Sequence, residues 1–151
     1  MTKKEWANAV WLLFHTLAEK LKPEHSAEVA VLYNHISSIC NNLPCPDCQS
    51  HATQTIQRTS KSAVCASRET LIHFLWQFHN SVSARLKLPY FSKEGLSVYR
   101  RANTMNVVRN FIAIMGKSSH NSRTMMNSFH RQRYMKEFTD YLQSNIGKYQ
   151  P

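Results

Sequence analysis

The sequence has little glycine, few acidic residues and no long apolar run. Its 151 residues include 3 glycines, too few for a fold that depends on many tight turns. No run of about 18 apolar residues is present and the mean hydropathy is -0.44, so we expect no membrane-spanning helix. The first apolar stretch is followed by no small-residue cleavage site, so we also expect no secretory signal. These features favour an all-α protein in a cytosolic or nuclear setting.

The shortage of acidic residues leaves a strongly basic chain. Nine Asp and Glu stand against 19 Lys and Arg, which gives a formal net charge of +10. Such a charge suits an acidic partner such as nucleic acid. One alternative function is therefore a basic helical nucleic-acid or scaffold protein that uses the C-terminal helices. The residues that suggest it are Phe129, Arg131, Arg133, Tyr134, Lys136 and Phe138.

Apolar residues recur every three or four positions along most of the chain, as in amphipathic helices. Ser26, Ser67 and Ser92 each precede such a segment and suit helix N-caps. Prolines after two of the segments give helix ends. We predict six helices, at about 4–21, 27–41, 45–58, 68–88, 93–115 and 124–146.

Two polar segments separate the predicted helices, at residues 59–66 and 117–122, and we predict loops there. The second segment falls in a stretch that looks like an addition to a compact helical core. We therefore expect a core domain over residues 1–101. Residues 102–151 are expected to form a helical extension packed on or near that domain.

Four cysteines in a reducing setting indicate catalysis or metal binding more readily than structural bridges. Cys45 and Cys48 form a CxxC pair, and Pro46 suits the first turn of the helix predicted there. Near the positive end of a helix, the thiolate form is favoured over the thiol. A redox pair and a half zinc site both have this spacing. The zinc alternative would use Cys40, Cys45, Cys48 and His51 as ligands.

Two further patterns involve histidines in predicted helices. Trp11 and His15 are four residues apart, so they share one helix face and can contact one flat ligand. His79 and Asn80 point about 100° apart, so one can face a pocket while the other fixes neighbouring backbone. Each residue by itself is more often part of a packed core than of a ligand site. Their order relative to the CxxC pair is more informative.

Together these motifs resemble the Erv/Alr family of flavin-linked sulfhydryl oxidases. The resemblance runs through WANAVWLLFHTLA at 6–18, LPCPDC at 43–48 and FHNSVSARL at 78–86. It covers about two thirds of the chain and is most similar to the short forms encoded by large cytoplasmic DNA viruses. The sequence departs from the family pattern at Ser83, where a second asparagine is usual, and in residues 102–151.

The resemblance implies a four-helix bundle with a crossing fifth helix, which binds FAD non-covalently, and a homodimer formed through the first two helices. Cys45 and Cys48 would be the catalytic pair, with Cys48 beside the flavin, and no metal would be needed. Arg85 and Lys87 would lie near the FAD phosphates. The residues implied to bind the cofactor are Trp11, His15, His79, Asn80, Val82, Ser83, Arg85, Leu86, Lys87 and Tyr99.

The implied reaction oxidises protein dithiols to disulfides and passes the electrons through the CxxC and the flavin to O₂, releasing H₂O₂. The chain has no second CxxC to act as a shuttle. We therefore expect a separate dithiol protein, a substrate or a relay partner, to reduce Cys45–Cys48 directly. Cys40 and Cys65 are expected to be buried or structural thiols. The viral resemblance places the protein at assembly sites in the host cytoplasm and in the virion.

Overall fold

The computed structural model describes residues 2–117 and 122–151, with the side chains of residues 122–128 excepted. The all-α prediction is confirmed, because helices supply the regular structure of the described residues. No described helix is both long enough and apolar enough to cross a membrane. The helices are α1 (Lys3–Lys20), α2 (Glu28–Cys40), α3 (Pro46–Gln57), α4 (Lys61–Val64), α5 (Arg68–Arg85), α6 (Ser97–Arg100), α7 (Thr104–Met115) and α8 (Ser122–Asn145).

Several helix starts follow capping residues in the sequence. Thr2 and Ser67 cap α1 and α5, each with a side-chain oxygen that accepts a hydrogen bond from the backbone three residues later. Ser26 was predicted to cap α2, and this is wrong. A short 3₁₀ turn at Pro23–His25 leads into α2, which begins after Ala27 with no side-chain cap.

The single helix predicted over 93–115 is also wrong. The chain forms a 3₁₀ turn at Lys93–Leu96, continues as α6, and breaks before α7. Asn103 causes the break, because its side chain accepts a hydrogen bond from the Asn106 amide at 2.9 Å and so starts a new helix. The predicted loop at 59–66 contains the one-turn helix α4, and α5 ends at Arg85 rather than 88. Within the predicted break at 117–122, residues 118–121 lie outside the described residues.

The helix α1 lies at the centre of the structure. It packs against α5 on one side and against α7 on another, and α2 and α3 complete the bundle. The short α6 packs against α1, and its role as the crossing helix stays a prediction. Leu13 and Leu17 of α1 are almost fully buried, as are Phe111 of α7 and Phe138 of α8. Residues 102–151 therefore contribute to the same hydrophobic core as the bundle, and the boundary at 101 stays a prediction.

The last residues of the chain are held against the end of α1 by backbone hydrogen bonds. The Gln150 amide donates to the Lys20 carbonyl at 2.7 Å, and the Lys22 amide donates to the Lys148 carbonyl at 2.9 Å. The first amide of α7 donates to the carbonyl of the last residue at 2.8 Å. These bonds fix α7 and α8 relative to α1 and α2.

A polar cluster under this segment joins α2 to the end of the chain. The Glu28 carboxylate accepts hydrogen bonds from the Tyr141 hydroxyl at 2.8 Å and from the Lys148 ammonium at 2.7 Å. The Tyr149 hydroxyl lies 2.7 Å from that of Tyr141. Partial burial raises the pKa of Glu28, but the bonds from Lys148 and Tyr141 outweigh it and hold the pKa below its usual range.

We predict that Glu28→Gln lowers the free energy of unfolding at pH 7 by about 1–2 kcal/mol, because a charged hydrogen-bonded pair is lost. The folded pKa of Glu28 is lowered, so its contribution is present above about pH 4.5 and is lost as pH falls through the folded pKa. Chemical denaturation at pH 7 and pH 3.5 measures this. Glu24→Gln, at an exposed glutamate, is the matched control; a Glu28→Gln effect that does not change with pH would contradict the prediction.

Candidate active site

The CxxC pair begins α3, as the sequence predicted. Cys45 is the N-cap of the helix, and Pro46 is the first helical residue. The Cys45 sulfur accepts a hydrogen bond from the Cys48 amide at 3.3 Å, so it replaces the usual side-chain oxygen of a cap. Both sulfurs are half-buried thiols. The free amides and the dipole of α3 therefore act on Cys45 directly.

The two thiols of the pair differ in acidity. Partial burial raises the pKa of the Cys45 thiol, but hydrogen bonds from the Cys48 thiol and amide and the charge of Lys3 outweigh it and lower the pKa. Burial raises the pKa of Cys48, and the hydrogen bond with Cys45 and the negative charge there raise it further. In the reduced pair, Cys45 is therefore the first thiolate to form. Because its thiolate is the more stable of the two, Cys45 is the better leaving group in disulfide exchange.

Cys48 lies in the wall of a cavity of about 610 Å³ between α1, α3 and α5. This volume is typical of sites for small molecules and cofactors. The wall is mostly aromatic and aliphatic, with cationic side chains among its members. Its lining includes Lys3, Lys4, Trp6, Trp11, Phe14, Leu43, Cys48, His51, Phe78, His79, Val82, Ser83, Arg85, Leu86 and Leu88.

An aromatic cluster joins α1 to α5 at this cavity. The rings of Trp11 and His79 are parallel within 5°, with centroids 4.2 Å apart. His15 stacks on Tyr99 at 4.6 Å, and its Nε2 lies 2.9 Å from Nδ1 of His79, so one imidazole donates a hydrogen bond to the other. Burial lowers the pKa of His15 to about 3, helped by the nearby His79, and lowers the pKa of His79 to about 4. Both imidazoles are therefore neutral near pH 7.

Phe91 completes this cluster, and sequence reasoning missed it. Its ring centroid lies 5.6 Å from that of His79 and 6.0 Å from that of His15. Asn80 holds the Phe91 backbone from both sides, since it donates to the carbonyl and accepts from the amide at 2.9 Å each. Trp76 Nε1 donates to the same carbonyl at 2.9 Å. The sequence suggested that Asn80 could fix backbone, but it did not indicate which segment.

A glycine keeps Phe91 in this position. A Cβ atom on Gly95 would collide with the Phe91 ring, so a side chain there would displace the ring from the histidines. Gly95 is part of the 3₁₀ turn at Lys93–Leu96 and has no unusual backbone angle. Close packing, and not a turn, therefore explains this glycine.

The predicted cofactor residues divide into two groups. Trp11, His79, Val82, Ser83, Arg85 and Leu86 line the cavity. The others stand outside the wall: His15 and Tyr99 are stacked behind it, and Asn80 holds Phe91. Lys87 is exposed, with a φ of 58° that turns the chain after α5, and it does not line the cavity. Its assignment to the cofactor stays a prediction.

The remaining cysteines have environments that disfavour thiolate. Cys40 is buried and touches the cavity, and burial raises the pKa of its thiol to about 12. Burial also raises the pKa of the Cys65 thiol. Among the described residues, no three His, Cys, Asp or Glu side chains are arranged to hold a metal ion. The set required by the zinc alternative, Cys40, Cys45, Cys48 and His51, is therefore not assembled as a metal site.

The basic surface suggested for nucleic acid is not formed by α8 as expected. Arg131 is buried, and the aromatic residues Tyr134 and Phe138 belong to the core. Two other basic residues are in ion pairs along the helix, Arg133 with Glu137 at 3.8 Å and Lys136 with Asp140 at 3.0 Å. Of the aromatic residues that suggested this surface, Phe129 is exposed.

Comparisons with known proteins agree with the motifs. The family model described as the Erv1 / Alr family matches residues 8–104. A protein of Invertebrate iridescent virus 3 that carries the name FAD-linked sulfhydryl oxidase 096R is 37% identical over 99 residues, which are 65% of this chain and 66% of that protein. FAD-linked sulfhydryl oxidase FPV093 of Fowlpox virus (strain NVSL) is 32% identical over 60 residues, which are 40% of this chain. The match spans 60% of the fowlpox protein, so each relative extends beyond it. No solved structure matches the chain.

We predict that neither His15 nor His79 takes up a proton between pH 8 and pH 5, because burial lowers both pKa values. Unfolded imidazoles bind protons below about pH 6.5, so the free energy of unfolding should fall as the pH drops from 6.5 toward 4. Imidazole NMR titration measures the first effect. In His79→Asn, the fall in the free energy of unfolding between pH 6.5 and pH 4 should be smaller by on the order of 1–2 kcal/mol. A pKa near 6.5 for either ring would contradict this view of the cluster.

We predict that Asn80→Asp lowers the free energy of unfolding by about 1–2 kcal/mol, because a carboxylate cannot donate to the Phe91 carbonyl. Denaturation with urea, monitored by circular dichroism, measures the change. Asn110→Asp makes the same chemical change at an exposed position of α7 and serves as the control. Equal stability of the two variants would show that the clamp on Phe91 contributes nothing.

Proposed function

Because the chain belongs to the Erv1/Alr family, we propose that it is an FAD-dependent thiol oxidase that forms disulfides in protein dithiols. One observation carries the proposal. The thiol of Cys48 lies in the wall of the same aromatic cavity that Trp11 and His79 line, while Cys45 caps α3 beside it. The names of the viral relatives describe the same activity for those proteins.

The residues of the cavity fit FAD by their chemistry. A flat, apolar ring system suits a wall of aromatic and aliphatic side chains, of which Trp11 and Val82 are examples. The anionic phosphates of FAD suit a cation at the rim, and Arg85 supplies one. Neutral His79, with neutral His15 behind it, leaves the aromatic part of the wall without charge. When bound, FAD would supply a two-electron acceptor that transfers the electrons onward to O₂, with release of H₂O₂.

The protein's own part of the reaction is disulfide exchange at Cys45. A substrate thiolate attacks the Cys45 sulfur of the Cys45–Cys48 disulfide, the bond between the two cysteines breaks, and Cys48 leaves as a thiolate. The second substrate thiolate then attacks the substrate sulfur of the mixed disulfide and releases Cys45 as a thiolate. The substrate has lost two electrons and two protons and holds a new disulfide. The lowered pKa of Cys45 favours its release in the last step.

We assign Cys48 the complementary role, because it lines the cavity. Lys3 lies within hydrogen-bond reach of its sulfur, so the Lys3 ammonium can stabilise a Cys48 thiolate. The pair thus has one sulfur for the substrate and one for the cofactor.

The dithiol reductant is proposed to be a separate protein, either the final substrate or a relay partner. Cys40 and Cys65 are poor candidates for an internal relay, since burial disfavours their thiolate forms. We place the reaction at viral assembly sites in the host cytoplasm and in the virion, by analogy with the viral relatives. The homodimer is also a proposal. The faces of α1 and α2 that pack on α7 and α8 are already covered within the chain, so a dimer would use other parts of those helices.

We predict that Cys45→Ser and Cys48→Ser each abolish O₂ consumption with dithiothreitol while the purified variants keep the visible absorption of bound flavin. Either change removes one sulfur of the only disulfide that the mechanism uses. An oxygen electrode and an absorbance spectrum are the two measurements. Cys65→Ser is the matched control and should retain activity. Full activity in either of the first two variants, or a colourless wild-type protein, would refute the assignment.

A further inference from the structure

A group of cations surrounds the mouth of the cavity next to the cysteine pair. Lys3, Lys4 and Arg85 line the cavity together with Cys48. Lys3 lies within hydrogen-bond reach of the Cys48 sulfur. We call Lys3, Lys4 and Arg85 the basic collar. All three side chains are exposed.

The charge of the collar is not neutralised by the protein. In residues 2–117 and 122–151, none of its three members forms an ion pair with a carboxylate. The acidic groups nearest in sequence are Glu5, which is bonded to the Thr2 amide as part of the α1 cap, and Asp47, which is exposed in the first turn of α3. Cations therefore outnumber carboxylates around the pair, and the positive field reaches any thiol that approaches it.

We propose that the basic collar recognises acidic side chains beside the reactive cysteine of the substrate, so that the preferred substrates are protein dithiols in an acidic sequence. This proposal rests on the oxidase function and names its substrate class. An approaching segment with Asp or Glu on either side of its cysteine gains favourable charge interactions as its thiolate reaches Cys45. A basic segment is repelled at the same distance.

The collar has more cations than the cofactor requires. Arg85 is the member proposed to face the FAD phosphates, whereas Lys3 acts on both sulfurs of the pair. Lys4 is its neighbour at the start of α1 and lines the cavity with it. These two cations therefore lie at the cavity beside the cysteine pair, and an anionic substrate that approaches Cys45 is the partner that their charges suit.

The test measures the encounter with Cys45 by itself, without turnover of the flavin. In full-length Cys48→Ser/Cys65→Ser protein, the Cys45 thiolate attacks the peptide sulfur of a peptide linked by a disulfide to a coloured aromatic thiol. That disulfide breaks, a peptide–Cys45 disulfide forms, and the aromatic thiolate is released and measured by absorbance. Two peptides are compared that differ only in four flanking residues, all glutamate or all lysine. We expect the acidic peptide to react about tenfold faster at roughly 0.02 M salt and nearly equally at roughly 0.5 M.

Charge reversal then assigns the effect to the collar. Adding Lys3→Glu and Lys4→Glu should reduce the rate ratio of the two peptides to about one or invert it. The ratio is used because any change in the reactivity of Cys45 itself affects both peptides equally. Arg101→Glu/Arg109→Glu makes the same charge change at two exposed positions away from the cavity wall and should keep most of the preference. Circular dichroism melts confirm that the variants are folded.

The outcomes separate this proposal from the proposed function. Equal rates for the two peptides at low salt, or a faster basic peptide, would overturn the collar. A preference that survives in Lys3→Glu/Lys4→Glu would also overturn it, since other residues would then cause it. Loss of the preference in that variant alone supports it. The release assay needs neither FAD nor O₂, so a protein that fails as an oxidase would still give a clear result for the collar.

Discussion

The contact between α1 and α5 through Trp11, His15 and His79 is the constraint on which the rest of the structure depends. A histidine pair can be buried side by side when neither ring is charged, and their hydrogen bond at 2.9 Å satisfies one nitrogen of each. The stacked indole then fixes the ring plane of His79 to within 5°. Because both helices are fixed here, the cavity between them has a defined aromatic wall. The cysteine pair of α3 faces a surface whose shape is set elsewhere in the chain.

The part of the chain after residue 101 contributes to this arrangement from the opposite side of α1. The helix α1 has 18 residues, of which ten are buried. Its contacts with α5 and its small contact with α2 are not enough to cover all ten. The helix α7 covers the remaining apolar face, and the bonds from Gln150 and Lys148 to the end of α1 hold the last segment in place. In this protein, the extension therefore completes the core around the helix that carries Trp11 and His15.

Local signals in the sequence were sufficient for most helices and for the cysteine pair. Ser67 and Pro46 act through neighbours within one turn, so these two helix starts could be recognised without knowledge of the fold. The position of Phe91 could not be predicted in this way, because two side chains of α5 that are distant in the sequence donate hydrogen bonds to its backbone carbonyl. The break at Asn103 was missed for a different reason. The helical spacing of apolar residues continues across Asn103, and a single hydrogen bond to its side chain starts the new helix there.

The different acidities of Cys45 and Cys48 show how a short motif acquires two functions. Because two residues separate the cysteines, the Cys45 sulfur caps α3 and the Cys48 thiol donates a hydrogen bond to that sulfur. Helix geometry alone would stabilise negative charge on Cys45, whatever lies around it. Cys48 gains its separate role from the tertiary structure, because the walls of α1 and α5 bury it beside a cavity. A CxxC at the start of an exposed helix would have the first property without the second, so the cavity is what makes this pair suitable for passing electrons to a bound ring.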